Sequence, residues 1–266
     1  MKSRPTGGDN YPGLIIKDSM LPMNELYMNI WIEGDRQDQE LFAEMFAKAR
    51  CTKALSVDKA DLVVFTGGVD VNPALYGEKA HRTVSFSVKR DDDDIALYKY
   101  CMDEGVPMLG ICRGAQFLHV MQGGKLWQDV NHHYGDHAML DVRGNILIHQ
   151  ISSVHHQMVQ ANRCGGMEVL GTTMLADKRW RNDTICISGK EEDIEAFFYR
   201  DTCVLGIQGH PEYRGYNQFQ QWTFRMIQEL VVSNPDILAI NQQYRIRPEI
   251  REARAKEMTK QLEGAN

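Results

Sequence analysis

The sequence predicts an α/β protein built on an open, mostly parallel twisted sheet with helices on both faces and an antiparallel extension at one edge. Three observations predict it. Over the first half of the chain, apolar strand-like runs alternate with helix-like segments, a βαβ rhythm that demands parallel pairing. The run Val106-Pro107-Met108-Leu109-Gly110-Ile111 passes through Cys112-Arg113-Gly114 directly into the helix-like segment Ala115 to Met121, the strand, sharp turn and helix of a nucleophile elbow. The second half breaks into short strand-like runs separated by turns: Asn145 to Ile151, Met167 to Leu170, Thr184 to Ser188, Glu195 to Tyr199 and Cys203 to Ile207. These read as antiparallel hairpins on the sheet edge.

Tyr27 to Ile32 reads as the first strand, and Gln37 to Ala49 as an amphipathic helix with Leu41, Phe42, Met45 and Phe46 on one side. Leu62 to Phe65 is the next strand and delivers Gly67 and Gly68 into a loop. A helix from about Asp92 to Asp103 turns Ile95, Leu97 and Tyr98 inward before the elbow, and Gln218 to Val232 closes the fold as a helix. The first twenty or so residues, rich in Gly, Pro and Met, are expected to be partly disordered, with Leu14-Ile15-Ile16 as an optional edge strand. From Ser233 the chain carries Pro235 and then mixed charge from Arg245 to Leu262, which reads as a solvent-facing helix or one that orders on a partner. The expected organisation is an extension over 1–24, one domain over 25–232 and a charged tail over 233–266.

With 266 residues, 43% hydrophobic and 25% charged, the chain can bury one large core. Its formal net charge of -6 speaks against a dedicated nucleic-acid surface, which needs a concentrated basic patch. No run of eighteen apolar residues suits a membrane span, and Met1 to Gly8 lacks the apolar stretch of a signal peptide, so a cytoplasmic protein is expected. The six cysteines follow no framework spacing, which fits reduced thiols.

Cys112 carries the chemistry. A strand turning sharply into a helix strains the central residue, and side chains two positions either side would collide, which accounts for Gly110 and Gly114. The thiol is lifted clear at a helix N-terminus, where the dipole and free N–H groups favour negative charge; a plain buried cysteine is the competing reading. A cysteine nucleophile needs an imidazole to take and return its proton and a carboxylate to orient that imidazole. Val204 to Ile207 leads through Gln208-Gly209 to His210-Pro211-Glu212, which supplies both, with Pro211 restricting the backbone between them. Alone, that triplet would read as a solvated loop.

These residues, with Phe65 to Pro73 and Tyr76-Gly77-Glu78, Arg90-Asp91, Gly123 to Asp129 and Ser152 to Gln157, resemble the class I glutamine amidotransferase-like family. The branch they are most similar to is that of the gamma-glutamyl-gamma-aminobutyrate hydrolases, the C26 peptidase group. The resemblance spans about residues 60 to 232 in conserved motif order. It implies the flavodoxin-like fold of that family and a catalytic triad of Cys112, His210 and Glu212. Cys112 would attack a gamma-glutamyl amide to form a thioester, and His210, oriented by Glu212, would protonate the departing ammonia or amine and then activate water. The backbone N–H groups of Gly68 and Arg113 would hold the oxyanion, and Gly67 would let the main chain approach substrate; a plain turn is the competing reading of the glycine pair. Gln116 would hold the glutamyl portion, and Ser153, His155, His156 and Gln157 would line the opposite wall, binding alpha-amino and carboxylate groups. Arg90-Asp91 reads equally as a charged pair or as a solvated helix start.

The implied activity is an amidohydrolase acting on glutamine or a small gamma-glutamyl amine, with no cofactor. Its partner is the small-molecule substrate. The alternatives are a glutaminase component that feeds ammonia to a synthetase on another chain, with the tail as a docking element, or a silent scaffold; a homodimer is also open. No glycine-rich phosphate loop is present. Asn131 to His137 and His155-His156 are dense in imidazole, yet no Cys-x-x-Cys pair or His-Glu-x-x-His helix accompanies them, and no metal is expected. Two departures from the family pattern bear on the pocket mouth: Gly209 stands where relatives often carry a bulky aromatic, and Asp94 where they often have glutamate. The leaving amine is left open.

Overall fold

The computed structural model describes residues 25–162, 165–186 and 191–234; the predicted N-terminal extension with its edge strand, and the charged tail from residue 235 on, lie outside them. Strand β1 (Asn29–Glu33) leads into α1 (Arg36–Lys48), capped by Asp35, whose carboxylate accepts from the Asp38 amide at 2.9 Å. The short β2 (Thr52–Lys53) and the buried β3 (Leu62–Phe65) follow. Helix α2 (Val88–Glu104) begins ahead of the expected Asp92 because Ser87 caps it, its hydroxyl accepting from the Arg90 amide at 3.3 Å. Strand β4 (Met108–Ile111) turns into α3 (Arg113–Met121).

The second half contains β5 (Leu126–Trp127), β6 (Asp129–Val130), β7 (His137–Asp141), β8 (Ile146–Ile151), β9 (Met158–Val159) and β10 (Met167–Thr173). After these come β11 (Arg179–Arg181), β12 (Thr184–Cys186), β13 (Asp193–Tyr199), β14 (Val204–Ile207) and α4 (Asn217–Ile227), which runs on into a π-helical turn, Gln228–Val232.

Nine strands form the main sheet in the order β2-β1-β3-β4-β14-β13-β10-β7-β8. The first five run parallel, and every pairing from β14 outward to β8 is antiparallel. The predicted α/β class and its antiparallel extension are therefore both present, with three corrections. Cys203 to Ile207 is no edge hairpin: β14 lies at the centre, parallel to β4 with Leu205 opposite Leu109. All four of its residues are buried, as befits a strand covered on both faces. The Thr184 run belongs to a separate small sheet, β12-β11-β6. The histidine-rich connection ends in a strand of the main sheet, β7, which the sequence reading did not anticipate.

Alternation along the parallel strands sorts the core into two layers. Leu62 and Val64 pack with Phe42, Met45 and Phe46 of α1 and Phe219 and Trp222 of α4; Val63 and Phe65 pack with Leu97 of α2 and Phe117 and Leu118 of α3. Asp141 at the end of β7 fastens α4 to the sheet, accepting from Trp222 Nε1 at 2.9 Å and from Arg225 at 2.6 Å. Cys51, Cys101, Cys112 and Cys203 are free thiols. No helix among the described residues is long and apolar enough to cross a membrane.

His119 of α3 is sealed beneath the sheet, its Nδ1 3.0 Å from the Tyr199 hydroxyl and its Nε2 3.1 Å from the Lys125 carbonyl. Burial pushes its pKa down to about 4. The unfolded ring protonates near pH 6.5, so folding stability falls as the pH drops below that value, and the loss is complete below about 4. Urea unfolding is expected to show the stability gap between wild type and His119→Gln narrowing by about 2 kcal/mol from pH 7 to pH 5. A gap that does not change with pH would mean that the folded ring binds a proton normally.

Candidate active site

The parallel register brings the ends of β3, β4 and β14 level, with Phe65 opposite Gly110 and Ile207 opposite Ile111. The loops leaving these three ends carry Gly67 and Gly68, Cys112, and His210. Ligand sites of open α/β sheets form in this position, beyond the carboxyl ends of the strands.

Cys112 sits between β4 and α3 at φ 52 and ψ -109, in the positive-φ region that costs an L-residue of order 1–3 kcal/mol. Its amide donates to the Ile207 carbonyl at 2.8 Å, tying the elbow to β14. The glycines on either side are required by contact. A Cβ at 110 would lie 2.5 Å from the Gly114 backbone, and one at 114 would lie 2.0 Å from the Phe65 carbonyl oxygen. The first helical bond of α3 runs from the Gln116 amide to the Cys112 carbonyl, so the Arg113 amide precedes the helix ladder and is one of its orphan donors. Gly68 has φ 143 and opens on unoccupied space, and a Cβ on Gly67 would reach 3.0 Å from His210 Cε1 and 3.9 Å from the Cys112 Cβ. Gly67 thus lies against the side chains of both Cys112 and His210.

His210 Nδ1 lies 2.6 Å from Glu212 Oε1, and the ring and the Cys112 side chain both flank Gly67. Burial opposes protonation of the ring, but its interactions with Cys112 and Glu212 outweigh it, so the His210 pKa is raised. Two supports were not singled out from sequence. Ser152 clamps the His210 backbone, its hydroxyl accepting from the amide at 2.7 Å and donating to the carbonyl at 3.2 Å. The Tyr213 ring stacks on the imidazole with centroids 4.6 Å apart and planes within 7°. An aromatic three residues after the histidine was the available signal for Tyr213; nothing local distinguished Ser152 from Ser153.

The other predicted residues divide. Gln116 is buried and donates to the Gln157 carbonyl at 2.9 Å and to Gln208 Oε1 at 3.3 Å, which places three glutamines together behind the thiol. Both side-chain polar atoms of Gln157 lack hydrogen-bond partners. Ser153 is buried, its hydroxyl donating to the His133 carbonyl at 2.6 Å. His155 is buried behind it, its Nδ1 3.0 Å from the Gln157 carbonyl. His156 is half-buried nearer the surface, between Asp70 at 3.1 Å and Asp129 at 3.1 Å. The hydrogen bond that the ring makes to Asp70 raises its pKa, partly against burial. The exposed Tyr134 pairs with Val154 in an isolated bridge, beside the segment that carries His155 and His156.

Arg90 and Asp91 do not pair with each other. Arg90 Nε binds Asp94 at 3.1 Å, and Asp91 accepts from Arg113 Nη2 at 2.5 Å, while Arg113 Nη1 also binds Asp94. The Arg113 side chain is 1% exposed, and burial lowers its pKa to about 10, which leaves it charged at neutral pH. At Gly209 a Cβ would come within 2.8 Å of the Ser152 carbonyl, so this backbone has no room for an aromatic side chain there.

The Peptidase C26 family model matches residues 46–212. The glutamine amidotransferase-like protein YvdE of Lactococcus lactis is 30% identical over 172 residues, covering 57% of this chain and 66% of that protein. The match therefore spans just under two thirds of that relative's length. A gamma-glutamyl-CDP-amidate hydrolase of Campylobacter jejuni is 27% identical over 171 residues, covering 63% of this chain and 71% of that one. A solved glutamine amidotransferase from Thermotoga maritima is 14% identical, covering 88% of this chain and 96% of that chain at a TM-score of 0.45. With more than half of its length matched by the family model, the chain belongs to the peptidase C26 family.

Proposed function

We propose that this protein is a cysteine-dependent amidohydrolase that cleaves a gamma-glutamyl amide, of glutamine or of a small gamma-glutamyl amine, through a thioester. The observation that carries the reading is the convergence of Cys112, His210 and Glu212 beyond the ends of β4 and β14. The Campylobacter relative's name supports the gamma-glutamyl class.

In this mechanism the Cys112 thiolate attacks the amide carbon, and the negative oxygen is received by the Gly68 and Arg113 amides. The His210 imidazolium gives its proton to the leaving nitrogen, the C–N bond breaks, and a thioester remains. His210 then takes a proton from water as it attacks the thioester; glutamate leaves, and the thiolate is released opposite the reprotonated ring. Glu212 holds the ring in one tautomer and favours its charged form. Gln116, one helical turn beyond the nucleophile, holds the glutamyl portion from below, and the mouth around His156 meets the alpha-amino and carboxylate groups.

Glutamate release from L-glutamine and a panel of gamma-glutamyl amines is the direct test. Cys112→Ala is expected to lower kcat by about ten-thousand-fold while leaving the fold intact. Release from a conjugate identifies a free-standing hydrolase, and release from glutamine alone favours an ammonia donor for a synthetase. Silence on every substrate, together with no glutamine-analogue adduct on Cys112, would refute the reading.

Activity requires the protonated ring opposite the thiolate, so kcat/KM is expected to fall on the alkaline side as His210 loses its proton. Removing the charge of Glu212 lowers the ring's pKa, so Glu212→Gln should shift that limb toward lower pH as well as reduce the rate. An alkaline limb that stays in place would mean that Glu212 does not set the ring's ionisation.

A further inference from the structure

The fold assembles a second cluster outside the Cys112 triad. His133 Nδ1 and His137 Nε2 converge on one oxygen of Glu195, at 3.5 Å and 3.0 Å. One nitrogen from each imidazole and one carboxylate oxygen lie within 4.8 Å of one another. His133 and Glu195 are completely enclosed, and the His137 side chain is only 7% exposed.

Tetrahedral ligands at about 2.0–2.1 Å from zinc are separated by about 3.3 Å, close to the two nitrogen-to-carboxylate distances here, with all three atoms within 4.8 Å of one another. The outer partners also match those of a metal site. Ligating histidines hold their remaining N–H against a carboxylate or a backbone carbonyl. Here His133 Nε2 faces Asp193 at 3.2 Å, and His137 Nδ1 faces the Gly135 carbonyl at 3.4 Å.

Apart from the bonds of His137 to Glu195 Oε1 and to the Gly135 carbonyl, the polar atoms of the cluster lack hydrogen-bond partners. Neither ring nitrogen of His133 makes a well-aligned hydrogen bond, and Glu195 Oε2 has no partner. Asp193 is already neutralised by Arg179 at 2.5 Å and held by the Leu175 and Ala176 amides. The enclosed Glu195 charge therefore has the two imidazoles as its neighbours, and an uncompensated buried charge is costly.

From this geometry we propose that His133, His137 and Glu195 form a binding site for one divalent transition-metal ion, with zinc as the best match to an N2O donor set. The ion would fasten the histidine-rich connection before β7 to the start of β13. The site stands independently of the hydrolase reading and requires no step of it.

The test is metal analysis of the purified full chain after expression with added zinc and passage over a weak chelating resin. About one equivalent of zinc per chain is expected. Removal by dipicolinate should lower Tm, and added zinc should restore it. His137→Ala and Glu195→Gln should each abolish the bound zinc and the Tm response, while the exposed His132→Ala retains both.

If those variants fail to fold, X-ray absorption of the wild-type zinc protein decides the matter. Two imidazoles with oxygen donors support the site, whereas a sulfur ligand places the metal on Cys112 and overturns it. A wild-type protein that holds no zinc and shows no Tm response also overturns it, leaving a proton-sharing network. Zinc retained by both folded ligand variants would equally refute the assignment.

Discussion

The close approach of α3 to the ends of β3 and β4 is the contact on which the rest of the site depends. It exists because residues 110 and 114 lack side chains: the Gly114 backbone occupies the space beside the Phe65 carbonyl that any Cβ would need. Once α3 is seated there, the chain has one residue in which to reverse from strand to helix, and Cys112 takes the positive φ that this requires. The strain, of order 1–3 kcal/mol, is held by the bond from the Cys112 amide to β14 and by packing that encloses eight of the nine residues of α3. The thiol and His210 then emerge from adjacent parallel strands, so their separation is set by sheet geometry.

Charge reinforces the same arrangement. Arg113 buries its guanidinium against Asp91 and Asp94 of α2. The two carboxylates thus hold the α2 segment against the first residue of α3, which carries one of the proposed oxyanion donors. Buried ion pairs of this kind contribute little net stability, because desolvation offsets their attraction. Removing one partner leaves a charge stranded in the interior, and that asymmetry is what discriminates against any packing in which the two segments drift apart.

Much of this was legible in the sequence, and what was missed has a common cause. The elbow, the parallel strands and the His210-Glu212 pair were readable because their signals are local: a glycine spacing, a continuous apolar run, a histidine at a strand end. β14 was recognised as a strand but assigned to an edge hairpin, since a short apolar run looks the same in either place and only the pairing with β4 tells them apart. The convergence of His133 and His137 with Glu195 depends on how antiparallel strands separated by β10 align, which no spacing along the chain encodes. Ser153 and Ser152 differ by one position, and at that scale the backbone path decides which hydroxyl meets His210 and which turns to His133.

The site divides into an enclosed part and an open part, and selectivity belongs to the second. Cys112, His210, Glu212 and Gln116 are all buried, fixed by packing that leaves little freedom for variation. Asp70, Asp129 and His156 come instead from the loop after β3, from the small sheet and from the segment before β9, and Tyr134 is exposed beside them. The imidazole set between two carboxylates gives the mouth donors and acceptors of both kinds within one small area. The proposed thioester chemistry is indifferent to which amine departs, so under that proposal discrimination between substrates falls to the residues of the mouth. On this reading the mouth is free to vary while the buried groups stay unchanged.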